Sequence, residues 1–177
     1  RDGRTLYATA QDLGQVALFG IEVEAGKVRR LVSKGSNHSP LVARGGVVVP
    51  FQSGVDAPGI VSRAVGPARV LGGIAYIAAT IRAPGAIAHT GTMARLLVGA
   101  FAGGDTAAAE AFCAACAQAG VDVEPAADIR RALWEKFCFL SAMSGCTAVA
   151  RVPVGDVRGD PDLRAAFVAA LTEAWAV

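Results

Sequence analysis

Lys136 is the residue in this sequence best placed to do chemistry. It lies in the segment Asp128–Ala150, DIRRALWEKFCFLSAMSGCTAVA. Ile129, Leu133, Phe137 and Leu140 recur there at helical spacing and mark a buried face. The chain has three lysines, Lys27, Lys34 and Lys136, and the last has the most apolar neighbourhood. Leu140 and Ser144 follow it one and two further turns along, so all three share one side of a helix. A lysine on a half-buried face can donate a proton to a carbonyl or polarise it. The same pattern also fits a lysine that snorkels from the edge of the core.

A second candidate is the turn Phe51-Gln52-Ser53-Gly54, which follows the apolar run Val47-Val48-Val49 and Pro50. Open α/β sheets bind ligands at the carboxyl ends of their strands. Ser53 and Gly54 could therefore offer backbone groups to a ligand, although an ordinary strand-ending turn reads the same way. Cys113-Ala-Ala-Cys116 has the spacing of a redox or metal pair. It sits in an Ala-rich helical run with no second pair and no nearby histidine, so buried packing is the expected role and no metal site is expected.

These residues need elements to position them. Short apolar runs predict strands at Arg4–Thr9, Val16–Ile21 and Val47–Val49, the second of the kind buried on both faces of a parallel sheet. Glu24–Val32 is predicted helical, Ser33–Pro40 a polar loop and Ala57–Val65 a short helix. Three β-like runs follow, Val70–Thr80, Gly85–Thr90 and Arg95–Ala100, separated by glycines. Asp105 reads as the cap of a helix over Thr106–Ala119 that stops at Gly120, and Asp128 as the cap of a helix running to about Val149. Arg151–Gly159 reads as a loop, and Pro161 opens a last helix. Composition changes near Pro125, which divides a β-rich α/β part, residues 1–124, from an all-helical part, residues 125–177.

Bulk composition excludes several classes. The chain has 177 residues, 53% of them apolar and 18% charged, which argues against disorder. A net charge of +2 without a long basic block gives no electrostatic case for nucleic acid. Mean hydropathy is high at +0.44. Yet the best apolar stretch, Val70–Ile81, contains Gly72 and Gly73 and falls short of the roughly 20 residues a membrane span needs. No signal-peptide pattern is present, and a cytoplasmic location is expected. Ala-rich amphipathic helices permit a homodimer without requiring one.

Four stretches resemble the ketopantoate reductase (2-dehydropantoate 2-reductase) family. They are Val47 through Asp56, Arg69 through Ala79, Pro84-Gly85 through His89-Thr90-Gly91, and Asp128 through Phe137. The resemblance implies the remainder of a Rossmann-type NADP-binding domain, followed by a helical domain like the C-terminal part of 6-phosphogluconate dehydrogenase. It implies NADPH as cofactor, a small 2-oxo acid as substrate, and reduction of ketopantoate to D-pantoate in pantothenate synthesis. Lys136 matches the family's catalytic lysine. Ser53, Gly54 and Ala79 match cofactor contacts, with Ser53 standing where the family has asparagine. Leu140 and Ser144 match substrate-binding positions that are asparagine in the best-known members. Glu22 falls near a family lysine. These departures favour two other readings, a paralogue acting on another 2-oxo acid or a degenerate, non-catalytic binding protein. The glycine-rich dinucleotide fingerprint and a later catalytic glutamate of the family are absent from the sequence, so it reads as an internal segment of a longer protein.

Overall fold

A computed structural model describes residues 5–12, 15–22, 27–32, 46–84 and 86–177, the first three strands by their backbone. Those strands, β1 (Thr5–Asp12), β2 (Gln15–Glu22) and β3 (Lys27–Val32), form an antiparallel meander. Thr5 pairs with Glu22, and Glu22 with Lys27. The helix predicted over Glu24–Val32 is therefore overturned from Lys27 onward. Six residues are too few for periodicity alone to separate helix from strand, and pairing with β2 decides the matter. β2 likewise pairs antiparallel on both edges rather than in a parallel sheet. The predicted loop Ser33–Pro40 lies outside the described residues.

A second sheet carries the rest of the β structure. β4 (Leu71–Ala83) and β5 (Ala86–Ala100) form one long antiparallel hairpin, and β6 (Asp122–Pro125) adds parallel to β5. The ladder is interrupted near the second of the boundaries read from sequence, since Thr90–Met93 have no partners on β4 and the register shifts opposite Ala78. Gly91, at φ 73°, is accommodated within β5, and the chain reverses between Ala83 and Ala86. β6 also gives regular structure to the residues just before the composition change at Pro125. Val47–Val49 contributes a single parallel bridge, Val48 to Val70, and not a full strand.

The helices after Asp105 and Asp128 start at the caps predicted for them, and the first helix falls on the residues predicted for it. α1 spans Ala57–Val65. In α2 (Thr106–Gln118) the Asp105 carboxylate accepts from the Ala108 amide at 2.9 Å, and Gly120 follows the helix at φ 76°. In α3 (Ile129–Ala150) Asp128 accepts from the Arg131 amide at 3.0 Å. Arg151 ends α3 in the left-handed region at φ 55°. Part of the expected loop Arg151–Gly159 is helical, as α4 (Val154–Gly159). α5 (Pro161–Trp175) starts on Pro161, with Asp160 accepting from the Asp162 and Leu163 amides.

The inner end of the second sheet is covered on both faces, while the outer part of the hairpin is exposed. Leu71 and Val98 pack with Ala109 and Cys113 of α2 on one face, joined by Val47, Val49 and Phe51. Ile74 packs with Ile129 and Leu133 of α3 on the other. Cys113 and Cys116 are free thiols buried under α2, and burial pushes both thiols up, the opposite of a reactive pair. Glycine sets how closely α3 approaches. Gly72 and Gly99 are cross-strand partners. A Cβ on Gly72 would lie 2.4 Å from Ile129 Cγ1, and one on Gly99 would lie 3.0 Å from Ile129 Cβ. Only this bare pair lets the first turn of α3 sit directly on the sheet. No described helix is long and apolar enough to cross a membrane.

Candidate active site

Backbone alternation puts an acceptor in front of Lys136. The Leu71 amide donates to Val48 O, and the Val48 amide to Arg69 O, so odd-numbered residues of β4 point their backbone groups to its outer edge. That edge is paired only as far as Leu71, because Pro50, two residues after Val48, has no amide N–H to continue the ladder. Ala75 O, two odd positions further on, therefore faces an open edge. Lys136 reaches it from α3, Nζ donating to Ala75 O at 2.7 Å.

The amine also lies 5.6 Å from the centroid of the Tyr76 ring. Tyr76 follows Gly72 and Ile74 on the α3-facing side and packs against the Ile74–Ile129–Leu133 cluster. Lys136 is half-buried, and desolvation pulls its amine below the ordinary lysine range.

Leu140 and Ser144 follow Lys136 along α3. Leu140 is half-buried and Ser144 exposed, and the Ser144 hydroxyl donates to Leu140 O at 2.6 Å. Ser53 is exposed, and Gly54 has φ 113° with no atom within 4 Å of where a Cβ would stand. Val55 packs into the same cluster as Tyr76 and Leu133, which anchors this turn beside the elements that hold Lys136. Ala79 stands about 13 Å beyond Ala75 along the strand. It is exposed and pairs with His89. The structure thus groups Lys136, Leu140 and Ser144 on one helix with the Ser53–Gly54 turn nearby, and leaves Ala79 on the outer hairpin.

Sequence reasoning missed Ala75 and Tyr76. The available signal was the period-two series Gly72, Ile74, Tyr76, which places Tyr76 on the helix-facing side. Two surface grooves lie elsewhere, between α3 and α5. They share Trp175, and Lys136 lines neither.

The fold and site define an α/β chain whose helical C-terminal part presents one half-buried lysine to the open edge of its sheet. Residues 27–103 match the family described as Ketopantoate reductase PanE/ApbA, and residues 128–177 match Ketopantoate reductase PanE/ApbA C terminal. The chain belongs to the ketopantoate reductase family, a family of oxidoreductases.

The chain is 25% identical over 144 residues to the Bacillus subtilis (strain 168) uncharacterized oxidoreductase YkpB, covering 81% of the chain and 48% of that protein. The crystal structure of 2-dehydropantoate 2-reductase from Geobacter metallireducens GS-15 is similar at a TM-score of 0.70 and 29% identity, over 77% of this chain and 45% of that one. D-Mandelate dehydrogenase with NADH and anilino(oxo)acetate shares the fold at a TM-score of 0.64 and 17% identity, over 70% of this chain and 40% of that one. The chain spans less than half the length of these relatives.

Proposed function

We propose that this chain is part of an NADPH-dependent reductase that converts 2-dehydropantoate to D-pantoate, in pantothenate synthesis in the cytoplasm. The observation that carries the reading is the half-buried Lys136 amine, fixed at 2.7 Å on Ala75 O where helix and sheet meet. We divide the chain into a nucleotide-binding part, residues 1–124, and a substrate-binding part, residues 125–177. The two family matches fall on either side of that division.

The Ser53–Gly54 turn fits a nicotinamide cofactor. The open space at the Gly54 Cβ position and the exposed Ser53 let backbone and hydroxyl approach a ligand. When bound, the cofactor supplies hydride to the ketone carbon.

The chain's own residues handle the oxygen. An ammonium has three donors, and Ala75 O takes one. Among the described residues no other acceptor takes a bond from Nζ, which leaves two donors to polarise the ketone oxygen of a 2-oxo acid. As negative charge builds on that oxygen, Nζ gives up its proton to form the alcohol, and water then re-protonates the amine. Desolvation aids this step, because it lowers the amine's hold on its proton.

Leu140 supports a second reading, an otherwise similar reductase of another 2-oxo acid. Its half-buried apolar side chain cannot hydrogen-bond a substrate hydroxyl, and it favours an apolar substituent.

The test is NADPH oxidation by the full-length protein, followed by absorbance against a panel of 2-oxo acids. Turnover on ketopantoate above the rest is expected. Faster turnover on a more apolar acid selects the second reading. No turnover on any acid and no NADPH binding by fluorescence would overturn both.

A further inference from the structure

Lys136 could have packed its amine against any part of the sheet edge. It stands instead between a carbonyl and an aromatic face, with Nζ 2.7 Å from Ala75 O and 5.6 Å from the Tyr76 centroid. The two partners are consecutive in the chain and project differently. The Ala75 carbonyl lies in the sheet plane at the open edge, and the Tyr76 side chain rises toward α3. Tyr76 cannot drift from this place, because it packs against the Ile74–Ile129–Leu133 cluster that fixes α3 on the sheet.

We infer that Tyr76 is the positioning residue of Lys136, its ring face fixing where the amine stands and helping it keep its proton until the reaction demands it. The inference rests on the reductase reading for its consequence in turnover, but the amine's affinity for its proton can be measured without turnover.

The physical ground is the ring quadrupole. An aromatic face carries negative potential, so a cation about 6 Å or less from its centroid is favoured over the neutral amine. Desolvation of Lys136 acts the other way. The other charged groups near the amine's surroundings have partners of their own or face solvent. Arg95, directly opposite Tyr76 on β5, is paired with Glu124 of β6. Glu135, next to Lys136 on α3, accepts from Arg131 Nε at 2.7 Å. Asp56, beside Val55 on the neighbouring turn, is exposed. The ring and the Ala75 carbonyl are thus the features that oppose desolvation at this amine, and of the two only the ring can be changed by substitution.

Isotopically labelled reductive methylation of the full-length protein tests this. The Lys136 resonance is identified by its loss in Lys136→Arg, and its titration gives the amine's pKa. Tyr76→Leu keeps an apolar side chain and removes the quadrupole. It should lower that pKa by about half a unit or more. Tyr76→Phe, which keeps the ring, should restore the wild-type value. Phenylalanines of increasing fluorination at position 76 hold the shape while draining the ring face, so the pKa should fall step by step with fluorine count. This series covers the case in which Tyr76→Leu fails to fold.

An unchanged pKa along the fluorination series would overturn the inference. So would a rise in Tyr76→Leu, which would mean the ring only keeps water away. In turnover, the basic limb of the pH profile should move with the measured pKa. A pKa that follows fluorination in a protein without 2-oxo acid reduction would sink the reductase reading alone and leave the positioning role standing.

Discussion

Lys136 of α3 donates a hydrogen bond to the carbonyl of Ala75 on β4 at 2.7 Å, across 61 positions of sequence. The bond exists because β4 loses its edge partner just upstream, where Pro50 has no amide N–H to donate. A sheet edge that would otherwise be satisfied by water thus holds one donor of a candidate proton donor, and among the described residues no other acceptor competes with a substrate for the remaining two.

Replacing Lys136 should separate activity from stability. Lys136→Ala should cut kcat about 100-fold or more, the usual worth of a general acid. Lys136→Met keeps the apolar stem. Burial puts the folded pKa of Lys136 below its unfolded value. Its charge therefore opposes folding at neutral pH, and the penalty fades as pH rises through the folded pKa. The Tm of Lys136→Met at pH 7 should equal or exceed that of the unmodified protein, with any advantage shrinking in alkali. A Tm lower by several degrees at neutral pH would contradict this account.

The pH dependence of turnover has a definite sign. The reaction needs the proton on Nζ, so kcat/KM should fall on the basic side. Because burial lowers the amine's pKa, the midpoint should lie below the ordinary lysine range. A pH–rate profile flat to the ordinary lysine range would remove Lys136 as the acid.

The seat of α3 on the sheet should be sensitive to one methyl group. Gly72→Ala places a Cβ 2.4 Å from Ile129 Cγ1. It should cost about 1–3 kcal/mol by denaturant unfolding. In an Ile129→Ala background the same change should cost little, a coupling measurable in a double-mutant cycle. Equal costs in both backgrounds would show that the contact does not set the approach.

The two ends of α3 should respond in opposite directions. Asp128→Ala removes the bond from the Arg131 amide and should lose about 1 kcal/mol. Arg151 holds φ 55°, where a side chain is strained and glycine is not. Arg151→Gly should leave Tm unchanged or raise it. Thermal melts of the two variants decide both points.

Leu140 should bear on substrate choice. Leu140→Asn introduces an amide where the best-known members of the family carry one. Ketopantoate kcat/KM should rise relative to that of more apolar 2-oxo acids. An unchanged ratio would place the substrate away from Leu140.

The longer helices were legible because their signals are local, whereas the six-residue α4 was read as loop. Asp105, Asp128 and Asp160 each accept amides of the first turn, and Gly120 and Pro161 stop and start helices within a few residues of their own position. The strands were less legible because their partners are remote. Lys27–Val32 looked helical until β2 paired with it, and the Val47–Val49 run proved to be a single bridge. Gly91 looked like a break, and it does lie in the stretch Thr90–Met93 that leaves the ladder with β4, although β5 pairs again on either side of it. The direction of pairing, antiparallel in most of the described ladders, has no signature in a short apolar run.

The candidate site divides in the same way. Lys136, Leu140 and Ser144 could be placed together from sequence, because helical spacing alone puts them on one side. The partners of Lys136 could not, since Ala75 and Tyr76 reach it only after Gly72 and Gly99 admit Ile129 to the sheet surface. Sequence determined which residue carries the amine and which helix bears it, through caps and periodicity that act over a few residues. Tertiary structure decided what the amine touches and how firmly it holds its proton, because desolvation, an open strand edge and an aromatic face all come from segments distant in the chain.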